Sequence, residues 1–127
     1  MSHKKNIERF GPYVRDVADQ MQLRDWFFAL MDKPSKKGLA ATLQPVWGRR
    51  YAALWLAKDF HKQAPEKQRH TIVHELIHAH FAAMDNPLQR GMKPSAVGFY
   101  VSAMEYGIDA MADIVAPFMP LPPRGDE

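Results

Sequence analysis

The segment His74-Glu75-Leu76-Ile77-His78 sets two imidazoles four residues apart, with a carboxylate directly after the first. Residues at that spacing share one face of an α-helix, so both rings can aim at one divalent ion. Glu75 then lies close enough to meet water at that ion without filling a ligand position. Zinc accepts neutral imidazole nitrogen and, in catalytic sites, keeps one coordination position for water. Water so placed loses its proton near neutral pH, and a neighbouring carboxylate can take that proton and pass it to a leaving group. The chemistry this pattern supports is metal-assisted hydrolysis. Val73, Leu76 and Ile77 give the same helix an apolar side to bury.

Two imidazoles require a third protein ligand. Glu105 and Asp109 stand one helical turn apart, among the apolar residues Val101, Met104, Ile108, Met111 and Val115. A carboxylate within such a stripe is costly unless it is paired or bound to metal. Glu105 as ligand completes a His2Glu set. Asp109 can then accept a hydrogen bond from the other nitrogen of His74, which fixes the tautomer and orientation of the ring. The rival assignment makes Asp109 or Asp113 the ligand. His80, two residues past His78, falls on the opposite side of the helix and is expected to serve as a polar surface or packing residue. His70, one turn before His74, can line the cleft, although structural or surface roles suit both His61 and His70. His3 lies in the terminal segment.

The elements that must carry these residues follow from periodicity and punctuation. Residues 1–11 are polar and are expected to be a flexible lead-in. A helix is expected from Pro12 to Arg24, then Trp26–Met31 as a short strand or as the end of that helix, and a turn at Asp32–Gly38. Residues 39–45 and 49–57 are expected to pair as a hairpin, punctuated by Pro45 and Gly48. Pro65, with Glu66 in the first turn, opens the helix of the histidine pair, which is expected to end at Asp85-Asn86-Pro87. Leu88–Ser95 is expected to be an exposed loop, followed by a helix from Ala96 or Val97 to Ala116 and a proline-rich tail. The expected division is a lead-in over 1–11, one domain over 12–117 and a tail over 118–127. The expected class is α+β, with a small, mostly antiparallel sheet packed on the metal-binding helix and a second active-site helix.

On these residues the chain resembles the zincin metallopeptidases, and within them the branch with a glutamate third ligand, the gluzincins. His74-Glu75-Leu76-Ile77-His78 is similar to their zinc helix, and Glu105-Tyr106-Gly107-Ile108-Asp109 to their downstream E-x-x-x-D pattern. The resemblance implies Zn2+ as cofactor, Glu75 as catalytic base, His74, His78 and Glu105 as metal ligands, and Asp109 as the partner of His74. The longer metzincin pattern does not fit, because Phe81 and Met84 stand where it needs glycine and histidine. A looser similarity connects the chain to small bacterial and phage-associated zincin-like domains. The family fold implies a peptide or protein substrate lying antiparallel to an edge strand, which is expected here within Trp47–Leu56. Larger relatives add a tyrosine or histidine donor at the developing oxyanion. No position matches that donor by motif. Tyr100, Tyr106, His70 and Arg90 are the candidates for oxyanion or substrate contact.

The 127-residue chain fits one domain. It has no cysteine, which excludes disulfides, a thiol nucleophile and thiolate-bound zinc. There is no apolar run of membrane-spanning length, and no apolar core follows Lys4 and Lys5, so neither a membrane span nor a secretory leader is expected and the cytoplasm is the default location. A formal charge of +3 is a mild excess. Trp47, Tyr51 and Trp55 beside Arg49 and Arg50 are the only support for nucleic-acid binding, and aromatic residues of this kind are more often core. The alternative to an enzyme is a zinc-stabilised interaction protein without turnover, in which three ligands hold two helices together.

Overall fold

Pro65 occupies the first turn of a 27-residue helix that runs to Gly91. Pro is suited to that position because its missing N–H would have no intrahelical partner there. The helix does not stop at Pro87. It continues for another turn, held by two bonds to Asp85: Gln89 Nε2 donates at 3.1 Å and the Tyr100 hydroxyl at 2.8 Å. The next helix begins at Pro94, so the expected eight-residue loop shrinks to Met92 and Lys93. A connection this short forces the two helices to lie side by side and antiparallel.

The computed structural model describes residues 3–125. In chain order the elements are α1 (His3–Gln20), β1 (Phe27–Leu30), β2 (Ala41–Pro45), β3 (Tyr51–Leu56), a 3-10 turn at Phe60–Lys62, α2 (Pro65–Gly91), α3 (Pro94–Val115) and a second 3-10 turn at Ala116–Phe118. This is a small α+β domain with a three-stranded mixed sheet. The expectation of a flexible lead-in is corrected: residues 3–11 form the first turns of α1. The cause is burial, because Asn6, Phe10, Tyr13, Val14, Val17 and Ala18 lie on one helical face and go into the core together. Pro12 sits inside this helix on its exposed side. Met1, Ser2, Asp126 and Glu127, which belong to the expected terminal segments, lie outside the described residues.

The strand order is β1-β3-β2. β2 and β3 pair antiparallel as the expected hairpin, but β1 pairs with β3 in parallel. The sheet is therefore mixed rather than mostly antiparallel, and β3 is its central strand. The expected edge within Trp47–Leu56 is corrected accordingly, and the edge strand next to α2 is β2. β3 alternates in burial, with Ala52, Leu54 and Leu56 inside and Tyr51 outside. The core joins Phe10, Val14 and Val17 of α1 to Leu54 and Leu56 of β3 and to Ile72, Val73 and Leu76 of α2. Phe10 and Phe60 meet edge to face at 4.9 Å. The chain after α3 folds back over the helices. Tyr13 donates to the Pro120 carbonyl, Arg9 donates twice to that of Pro123, and Arg69 donates to that of Met119. Among the described residues no helix is long and apolar enough to cross a membrane.

Candidate metal centre

α2 is fixed by the burial of Ile72, Val73, Leu76, Ile77 and Ala79. With those positions in the core, His74 and His78 are turned toward α3 and are only partly exposed. α3 buries Ile108 and Ala112 against the body. That rotation presents Glu105 and Asp109 to the histidines. His74 Nε2 lies 3.0 Å from one Glu105 oxygen, and His78 Nε2 lies 2.6 Å from the other. On the far side of the same ring, His74 Nδ1 lies 3.2 Å from Asp109 Oδ1. One donor atom each from His74, His78 and Glu105 falls within 4.8 Å of the other two.

This donor set fits a divalent ion. His74 has a carboxylate at each nitrogen, but a neutral imidazole has only one N–H. If Nδ1 donates to Asp109, the lone pair of Nε2 faces the Glu105 carboxylate, which is repulsive. A cation between them turns that opposition into two coordinate bonds. Burial pushes the pKa of His78 below its ordinary value, which favours the neutral form that ligates metal, while the Glu105 charge opposes the shift.

Glu75 points elsewhere, toward the sheet. The Ala57 amide donates to the Ala40 carbonyl and the Val46 amide to the Tyr51 carbonyl. Antiparallel pairing alternates, so the backbone groups of positions 41, 43 and 45 face the open side of β2. The Leu43 backbone is the part of that open side that lies against the Glu75 carboxylate. Burial is the main cause that raises the Glu75 pKa to about 8; the Glu105 charge adds to the shift and the Leu43 amide opposes it. A carboxyl in this range exchanges protons near neutral pH. A cleft of about 550 Å³ is lined by Leu43 and Trp47 on the sheet side, His78, Asp85 and Arg90 of α2, and Glu105 of α3.

The remaining expected contacts fall in four different places. Arg90 lines the cleft and lies over the Trp47 ring, 5.7 Å from its centroid. The Tyr100 hydroxyl is committed to Asp85. Tyr106 is 82% exposed. His70 Nε2 sits 2.8 Å from Asp113 Oδ1, and His70, Asp109 and Asp113 form a second cluster whose donor atoms are close enough to hold an ion. His80 Nε2 donates to the Met21 carbonyl at 2.7 Å, away from the cluster. The aromatic residues near the arginines have partners of their own: Tyr51 stacks on Phe27, and Arg50 pairs with Asp25. The approach of the Leu43 backbone to Glu75 was not anticipated from sequence, since backbone groups carry no residue-type signal. The second cluster had one, the four-residue repeat of His70, His74 and His78 against that of Glu105, Asp109 and Asp113.

No protein-family model matches the chain, and comparisons with curated proteins and with solved structures return no match.

Proposed function

We propose that the protein is a zinc-dependent peptidase of minimal gluzincin-like design, with His74, His78 and Glu105 as the residues that hold the ion. The single observation that carries this reading is the convergence of those three donors on helices α2 and α3, with Glu75 next to His74 in the chain. When bound, zinc supplies Lewis-acid chemistry, acidifying water and polarising a carbonyl. Glu75 accepts the proton of the attacking water and returns it to the departing amine. Asp109 holds the Nδ1 proton of His74 and so keeps Nε2 free to ligate. The open side of β2 offers backbone groups to an extended peptide. The cleft along β2 is shallow, which suits a flexible protein segment as substrate.

The test is zinc uptake together with cleavage of an unstructured polypeptide, followed by mass spectrometry of the fragments. The expected result is one tightly bound zinc and defined cuts, with Glu75→Gln keeping the zinc and losing about 10²-fold or more in rate. Full activity in Glu75→Gln sinks the mechanism. The second reading is a zinc-stabilised interaction protein. It is favoured by the placement of Tyr100, whose hydroxyl donates to Asp85, and of Tyr106, which faces solvent. Stoichiometric zinc without any cleavage would select it.

A further inference from the structure

Three histidines on α2 recur at every fourth residue, and three carboxylates on α3 do the same. Because the helices are antiparallel, the two series mesh like a ladder. His78 meets Glu105, His74 lies between Glu105 and Asp109, and His70 lies between Asp109 and Asp113. The centre proposed above uses only the lower rungs. At the upper end His70 Nε2 is 2.8 Å from Asp113 Oδ1 and 3.8 Å from Asp109 Oδ1.

We propose that His70, Asp109 and Asp113 form a second divalent-cation site, so that the chain binds two ions with Asp109 between them. One imidazole nitrogen and two carboxylate oxygens suit zinc, cobalt or manganese, with water completing the coordination. Charge points the same way. Among the described residues, the ion-pair partners of Glu105, Asp109 and Asp113 are all histidines. One divalent ion leaves one negative charge of that row uncompensated. The site is also built on two packed helices rather than on a loop, so its donors are held at fixed spacing. It differs from the first in strength, having one imidazole where the first has two, and carboxylates that are 58% and 70% exposed.

The two sites are linked in a definite direction. Asp109 Oδ1 is shared, at 3.2 Å from His74 Nδ1 and 3.8 Å from His70 Nε2. An ion at the upper site draws on the carboxylate that supports His74, and two dications about 6 Å apart, roughly one helical turn, repel each other. Both effects make the second ion bind more weakly, by about tenfold or more. The inference needs two ions and does not need hydrolysis.

The experiment titrates tag-free full-length protein with Zn2+ and Co2+, read by calorimetry and by cobalt absorption. Two equivalents are expected, the second weaker. His70→Ala and Asp113→Asn, both at partly exposed positions, are each expected to lose the weaker equivalent and to keep the tighter one with its cobalt spectrum. His78→Ala is expected to do the reverse, and circular dichroism checks that each variant is folded. A single equivalent that survives in His70→Ala and Asp113→Asn overturns the second site, as do two equivalents unchanged in both variants. A single equivalent lost in His70→Ala but kept in His78→Ala upholds the second site and removes the first. No uptake by the wild-type protein overturns both.

Discussion

α2 and α3 are the two halves of the candidate metal centre, and they are held in different ways. α2 runs through the core, with Ile72, Val73 and Leu76 fully buried. α3 buries only Ile108 and Ala112, and it presents Phe99 and Tyr106, each 82% exposed, and Ile114, 68% exposed, to solvent. The histidine half of the centre is thus anchored by packing. The carboxylate half rests on α2 through few fully buried side chains, a two-residue connection and the polar contacts across the ladder. The lesson is that a chain this small builds one wall of its site from the hydrophobic core and leaves the other to be tightened by what binds between them.

The contrast can be broken most directly by substitution in the two halves. Leu76→Ala is expected to cost about 2–5 kcal/mol in urea unfolding, since the side chain is fully buried. Ile114→Ala is expected to change stability by no more than about 0.5 kcal/mol. Equal costs would show that α3 is as firmly packed as α2. Zinc provides the next test. At a free concentration about a thousandfold above the dissociation constant, it is expected to stabilise the fold by about 4 kcal/mol. In hydrogen exchange most of the added protection should fall on α3 amides. Protection spread evenly over both helices would remove the distinction.

A pH series sharpens the comparison from the other side, in metal-free protein. The Glu75 carboxyl titrates at about 8 when folded, above its ordinary value near 4.5. The folded state therefore favours the protonated form. The stability this contributes is complete below about pH 4.5 and is lost as pH rises through 8. The melting temperature of the metal-free protein should fall over that window, and Glu75→Gln should flatten the fall. A wild-type profile as flat as the variant's would contradict the buried setting of Glu75. The smallest expected effect concerns the link between the two helices. Tyr100→Phe removes the hydroxyl that donates to Asp85 and should cost about 1 kcal/mol, with faster exchange at the start of α3. Unchanged exchange there would mean that this bond does not hold α3.

The histidine pair, its glutamate and the carboxylates one turn apart on a later helix could be read from the chain, because helical spacing alone puts such residues on one face. The start of α2 was legible for the same local reason, in Pro65 and Glu66. Its end was not. Asp85-Asn86-Pro87 is a strong stop signal, yet the turn beyond it is held by Gln89 and Tyr100, the latter from α3. The helical character of residues 3–11 was hidden in the same way, since their polar composition gives little reason to order until Asn6 and Phe10 are buried against other elements.

Local spacing, then, determined which side chains could share an ion, because a helix repeats every 3.6 residues wherever it lies. Only the tertiary structure decided that Glu105 rather than Asp113 meets both His74 and His78, and that β2 and not β3 is the open edge. Those outcomes depend on how far each helix is rotated and on which side of β3 the first strand returns. Both are set by core packing between residues distant in the chain, which no local pattern encodes.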